Sequence, residues 1–144
     1  MHLYEYVVKE RPLIVLPKLA TAIGLNEAIV VQQVRYWTEK FEDLKSNKHY
    51  HDGYWWVWNS VHDWRTNFPF WSERTIKRTL KAMREPIAKS EKHIGREPLL
   101  VVGNYNSKGY DRTLWYRVDW EALERYIDRY EETKSDNVTP IEMG

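Results

Sequence analysis

Between residues 74 and 84 the chain places Arg74, Lys77, Arg78, Lys81 and Arg84 at helical spacing, with Glu73 as the only acid beside them on that stretch. Clustered cations without carboxylates of their own are chemistry for holding an anion. Taking about 100° per residue and Ile76 as zero, the five cations fall between about 80° and 200°, while Leu80 and Met83 lie within about 40° of Ile76. The segment therefore predicts a helix with a narrow apolar stripe on one side and a cationic face on the other. A plain solvated face is the alternative, but such faces normally mix signs so that Glu and Lys pair four residues apart. Five like charges repel one another unless a partner neutralises them, and a phosphate backbone is the natural partner.

A second group of donors follows in "NYNSKGYDR". Asn104, Asn106, Lys108 and Arg112 offer amide and cationic donors, and Gly109 supplies the freedom a loop tip needs. A polar loop facing water is the competing reading for each of these side chains singly. Other chemistry is poorly represented. His49, His51 and Asp52 in "HYHDG" could share a cation on an extended segment, and His62 with Asp63 is the only other close pair. No H-E-x-x-H, G-x-S-x-G or Walker-type loop occurs, so no catalytic residue is assigned and no metal or cofactor is expected. With no cysteine, thiolate zinc sites and disulfides are excluded.

The elements that must carry these groups can be read from pattern. Eight Trp, ten Tyr and three Phe against six Gly and six Pro argue for a packed domain of 144 residues rather than a disordered one. The start lacks a signal-peptide pattern and no run reaches the roughly 20 apolar residues of a membrane span, so no membrane role and a cytoplasmic location are expected. Charge is segregated although it nearly cancels overall. Residues 1–70 balance, residues 71–117 carry net +6, and residues 118–144 carry net −5.

The chain reads as a short strand at Leu3 to Val8, a short helix from Pro17 to Gly24, and a longer helix from Glu27 to Asp43 capped by Asn26. An aromatic strand, "YWWVW", follows the Asp-Gly turn signal. Ser60 and Asp63 resemble a capping box opening a short helix, and Ser72 caps the basic helix Glu73 to Arg84. After a polar, mixed-charge segment from Glu85 to Pro98, "LLVVG" and "TLWYRV" pair as a hairpin, and Asp119 caps a final helix ending near Glu132. The expected class is α+β, mainly α: a winged helix-turn-helix with extra N-terminal and C-terminal helices. It forms a single domain over 1–132, with the helix-turn-helix at about 60–84, the wing hairpin at about 99–118, and a flexible polar tail at 133–144.

"GYWWVWNSVHDWRTNFPFWSERTIKR" and "GNYNSKGYDRTLWYRVDW" resemble the amino-terminal winged-helix domain of replication proteins from phages and mobile elements of Gram-positive bacteria, the replisome organisers related to DnaD-like primosomal proteins. The resemblance spans about residues 11 to 123 and is most specific in "FPFWS" and "TLWY". It implies an origin- or fork-binding protein of replication initiation with a host helicase or its loader as a protein partner, while the cationic face points to double-stranded DNA as partner and the aromatic residues to single-stranded DNA as the alternative. The segment from Glu85 to Pro98 is longer than the turn expected between reading helix and wing.

Within that frame Ser72, Arg74, Thr75, Lys77, Arg78, Lys81 and Arg84 are expected at the DNA from the helix, and Asn104, Asn106, Lys108 and Arg112 from the wing. Trp55, Trp56, Trp58, Trp71 and Trp115 either stack on unpaired bases or pack as core. Core packing is expected for most of them, with Trp71 held back as a phosphate or sugar contact. The competing functional readings are a protein-binding module, docking through its aromatic surface and acidic last helix, and a transcriptional regulator of phage origin. Val31 and Tyr36 lie off the main stripe of their helix, which suggests a second apolar surface and a homodimer.

Overall fold

Gly24 sets the angle between the first two helices, α1 (Pro17–Ile23) and α2 (Leu25–Asp43). The computed structural model describes residues 2–137. Gly24 takes φ +105°, a conformation that side-chain-bearing residues rarely adopt, which selects glycine there. It also caps α2, which starts one residue before Asn26; the expected Asn26 cap is therefore inside the first turn. α2 packs on α1 along one side and on the sheet and the basic helix along another. That double burial puts Val31 in the chain's own core at 2% exposure, correcting the expectation that it faces a second copy. Tyr36 remains exposed.

The expected strand at Leu3 to Val8 is helical instead, with a π-helical turn over Glu5–Lys9 that buries no residue. β-branched Val7 and Val8 meet no strand edge there, and the backbone satisfies its amides locally. The aromatic run after the Asp-Gly turn is likewise not one strand. β1 (Tyr50–His51) and β2 (Tyr54–Trp55) form a hairpin whose turn residues Asp52 and Gly53 both have positive φ, 53° and 82°. Trp56 then breaks the strand, its amide donating to the His49 carbonyl at 2.8 Å and its indole to the His51 carbonyl at 2.9 Å. β3 (Val57–Trp58) joins a different sheet.

That second sheet is antiparallel with the order β3-β5-β4, where β4 is Leu100–Gly103 and β5 is Trp115–Val118. β5 is central: Trp115 lies opposite Trp58 on one side and Gly103 on the other. Between β3 and β4 come α3 (Val61–Asn67) and α4 (Glu73–Arg84). α3 opens with the capping box: the Ser60 hydroxyl accepts from the Asp63 amide at 3.1 Å, and the Asp63 carboxylate accepts from the Ser60 amide at 2.8 Å. α5 (Trp120–Asn137) is capped by Asp119, whose carboxylate accepts from the Ala122 amide at 3.0 Å. It continues five residues beyond the end expected at Glu132. The rest of the expected tail, 138–144, lies outside the described residues.

Over the described residues the chain is thus α+β, about 53% helical with two small antiparallel sheets. Its core lies between α2, α4 and α5 and the inner face of the three-stranded sheet, where Val34, Ile76, Met83, Leu99 and Leu100 are all at most 2% exposed. Among the described residues no helix is long and apolar enough to cross a membrane. Leu80, at 3% exposure, anchors the middle of α4. Leu80→Ala is expected to destabilise the fold by about 2 to 5 kcal/mol, measured by urea denaturation, because it removes apolar contact and leaves a cavity.

Candidate functional site

α4 is positioned from one side only. Ile76, Thr79, Leu80 and Met83 are buried, and Glu73, Arg74, Lys77, Arg78 and Lys81 together line a shallow surface depression. The Ser72 hydroxyl accepts from the Thr75 amide at 3.1 Å and donates to the Thr75 hydroxyl at 3.0 Å, which fixes the helix start while both residues stay at least partly exposed. Arg84 is half-buried at the far end and does not line the depression.

Lys77 is paired with Glu73 at 2.8 Å, both side chains more than half exposed. Their contact, mainly the hydrogen bond from the Lys77 ammonium, holds the Glu73 carboxyl below its ordinary range. Such an exposed pair is weak and easily exchanged for another anion. Arg74, Arg78 and Lys81 form no ion pair among the described residues.

The segment 85–98 does not cover this face. Ile87 and Arg96 bridge through paired backbone hydrogen bonds of 2.8 and 2.7 Å. The Arg96 guanidinium is buried and donates to the Ala82 carbonyl at 3.2 Å, in the last turn of α4. Burial depresses the Arg96 pKa. Further along, Glu97 accepts two hydrogen bonds from Arg125 at 2.6 and 2.8 Å, and Arg129 donates to the Gly95 carbonyl at 2.7 Å. The segment is therefore fastened to α5.

The loop joining β4 to β5 is built around Asn106. Its amide nitrogen donates to the Asp111 and Thr113 carbonyls, both at 2.9 Å, and its oxygen accepts from the Trp115 indole at 2.9 Å. With both N–H groups and the carbonyl engaged, Asn106 is a clamp that shapes the loop, not a free donor as the sequence suggested. Asn104 is partly spent in the same way, donating to the Asp111 carbonyl at 3.2 Å and accepting from the Asn106 amide at 3.0 Å. The Thr113 amide donates to the Asp111 carboxylate and holds its pKa below the usual carboxylate value. Lys108 and Arg112 stay exposed, and Lys108 sits 5.9 Å from the ring of Tyr110, itself 79% exposed. Tyr110 is an aromatic group at this surface that sequence reasoning did not single out; its place in a polar, turn-rich stretch was the available signal.

Trp71 is corrected too. It is 7% exposed and stacks into the core, 5.0 Å from Phe68 and 5.4 Å from Phe70, so it has almost no surface to offer a phosphate. Trp56 and Trp115 are also buried, whereas Trp58 is 39% exposed. His49 and His51, the candidate metal pair, serve as aromatic packing: His49 stacks on Phe41 at 3.6 Å and His51 on Tyr105 at 4.3 Å. Among the described residues no group of three or more His, Cys, Asp or Glu could hold a metal ion.

Burial, with Lys48 and His51 nearby, pushes the His49 pKa below 6.5. The folded state thus favours neutral imidazole, so its contribution to stability is full above about pH 6.5 and is lost as pH falls from there through the lowered folded value. Thermal unfolding is expected to show decreasing stability from about pH 7 to about pH 5, before the carboxylates titrate, and His49→Phe is expected to flatten that slope.

Compared with family models, curated proteins and solved structures, the chain gives no significant match.

Proposed function

We propose that the chain is a winged-helix DNA-binding domain that grips duplex DNA with α4 in the major groove and the β4–β5 loop as the wing. The observation that carries this reading is the exposed face of Arg74, Arg78 and Lys81, free of internal ion pairs among the described residues. Lys77 joins it once Glu73 is exchanged for phosphate. Element order supports the winged-helix assignment: a strand, two helices, then a hairpin whose second strand is central to the sheet. Ser72 and Thr75 at the start of α4, and Lys108 and Arg112 in the loop, extend the contact. The likeness of "FPFWS" and "TLWY" to replisome organisers favours action in replication initiation over transcriptional control.

A protein-docking role is the second reading. It is favoured by the exposed apolar side chains of Leu3, Tyr6, Val7, Val8 and Ile14, which no other part of the described chain covers. A helicase, its loader or a second copy of this chain is the partner such a role calls for.

Duplex affinity is expected to fall with salt with a log-log slope of magnitude about 4 to 6, matching that many phosphate contacts. Arg74→Ala, Arg78→Ala and Lys81→Ala together are expected to cut the slope by about 3, and Glu73→Gln to tighten binding, in fluorescence anisotropy at several salt concentrations. If the triple variant binds duplex as the parent does, α4 is not the reader and protein docking becomes the better account.

A further inference from the structure

The outer face of the three-stranded sheet carries an aromatic layer that the α4 reading does not use. Trp58 and Trp115, directly opposite on β3 and β5, stack with ring centroids 6.0 Å apart at 25°. Trp115 is closed over by Tyr105 and His51, but Trp58 keeps an open side. A depression of about 490 Å³ lies there, within the size range of small-ligand sites, lined by Trp58, His51, Tyr105, Lys48 and Lys108 among others. Lys48 sits 5.6 Å from the Trp58 ring, and Lys108 comes from the wing. Asp111 also lines it, with its carboxylate engaged by the Thr113 amide.

We propose that this depression holds an unpaired nucleobase of a DNA strand, stacked on Trp58, with Lys48 and Lys108 on the phosphates to either side. Every base has a π-face, so an exposed indole flanked by cations suits a strand without demanding a sequence. The cation–π contact of Lys48 with an exposed ring is weak enough for a base to displace, which frees the ammonium for phosphate. Charge separates this site from the other well-exposed indole. Trp120 borders a groove that Glu39, Glu42, Asp119 and Glu121 make acidic; Arg35 there is paired with Glu39, and Arg117 lies over the Tyr54 ring. A phosphate chain is attracted to Trp58 and repelled from Trp120.

The inference rests on the nucleic-acid reading of the domain and places a melted or forked strand beside the wing while α4 holds duplex. The test uses a single-stranded oligonucleotide carrying one 2-aminopurine, whose emission is quenched on stacking, and a separate labelled duplex. The intact chain is expected to quench the single strand, Trp58→Ala to weaken that binding on the order of 5- to 150-fold and abolish the quench, and Trp58→Phe to retain most of both. Trp120→Ala is expected to change neither, and Trp58→Ala to leave duplex affinity intact. Lys48→Ala with Lys108→Ala, which leaves the indole in place, is expected to lower the single-strand salt slope by about 1.4. Unchanged quenching and affinity in Trp58→Ala, or no single-strand binding by the parent chain, overturns the proposal even if duplex binding holds. Trp58-dependent quenching without any duplex binding leaves the proposal standing and sinks the α4 reading instead.

Discussion

The seating of α4 on the core is the interaction from which the rest of the surface follows. Ile76, Leu80 and Met83 are buried against neighbouring α2, α3 and β4, and each such side chain contributes roughly 1.5 to 3 kcal/mol of apolar burial. A helix held along one stripe has its opposite side fixed in direction, so the cations have nowhere to point but outward. The backbone hydrogen bond from Leu99 to the Met83 carbonyl, 2.7 Å long, ties the helix end to the start of the hairpin. Helix and hairpin are thereby joined at that point.

Electrostatics are arranged to leave the outer face of α4 uncompensated. Asp119 is taken up as the cap of α5, and Glu97 of the intervening segment is held by Arg125. Among the described residues, only Glu73 pairs with a cation of this face, through an exposed contact that carries little energy. The segment 85–98 is held to the end of α4 by Arg96 and to α5 through Glu97 and Gly95. Its length is accommodated without masking α4.

Much of this was legible because the signals were local or periodic. The Ser60 and Ser72 caps, the α4 stripe and the hairpin of β4 with β5 each follow from spacing within a few residues. What escaped was decided at longer range. Asn106 reads as a free donor until Thr113 and Trp115 come round to occupy it. Trp71 reads as a surface ring until Phe68 closes on it. Val7 and Val8 favour a strand, but no edge meets them. The β1–β2 hairpin hides because two-residue strands carry no alternation, although the Asp52-Gly53 turn was visible. At α2, one stripe was expected, and packing from two sides buried Val31 as well.

The most direct test of the central claim is a map of side-chain nitrogen resonances of Arg and Lys during titration with duplex DNA. The account predicts shifts at Arg74, Arg78 and Lys81, with smaller ones at Lys108 and Arg112, and none at Arg96, Arg125 or Arg129. Shifts confined to the α5 arginines, with the α4 signals unmoved, would contradict it.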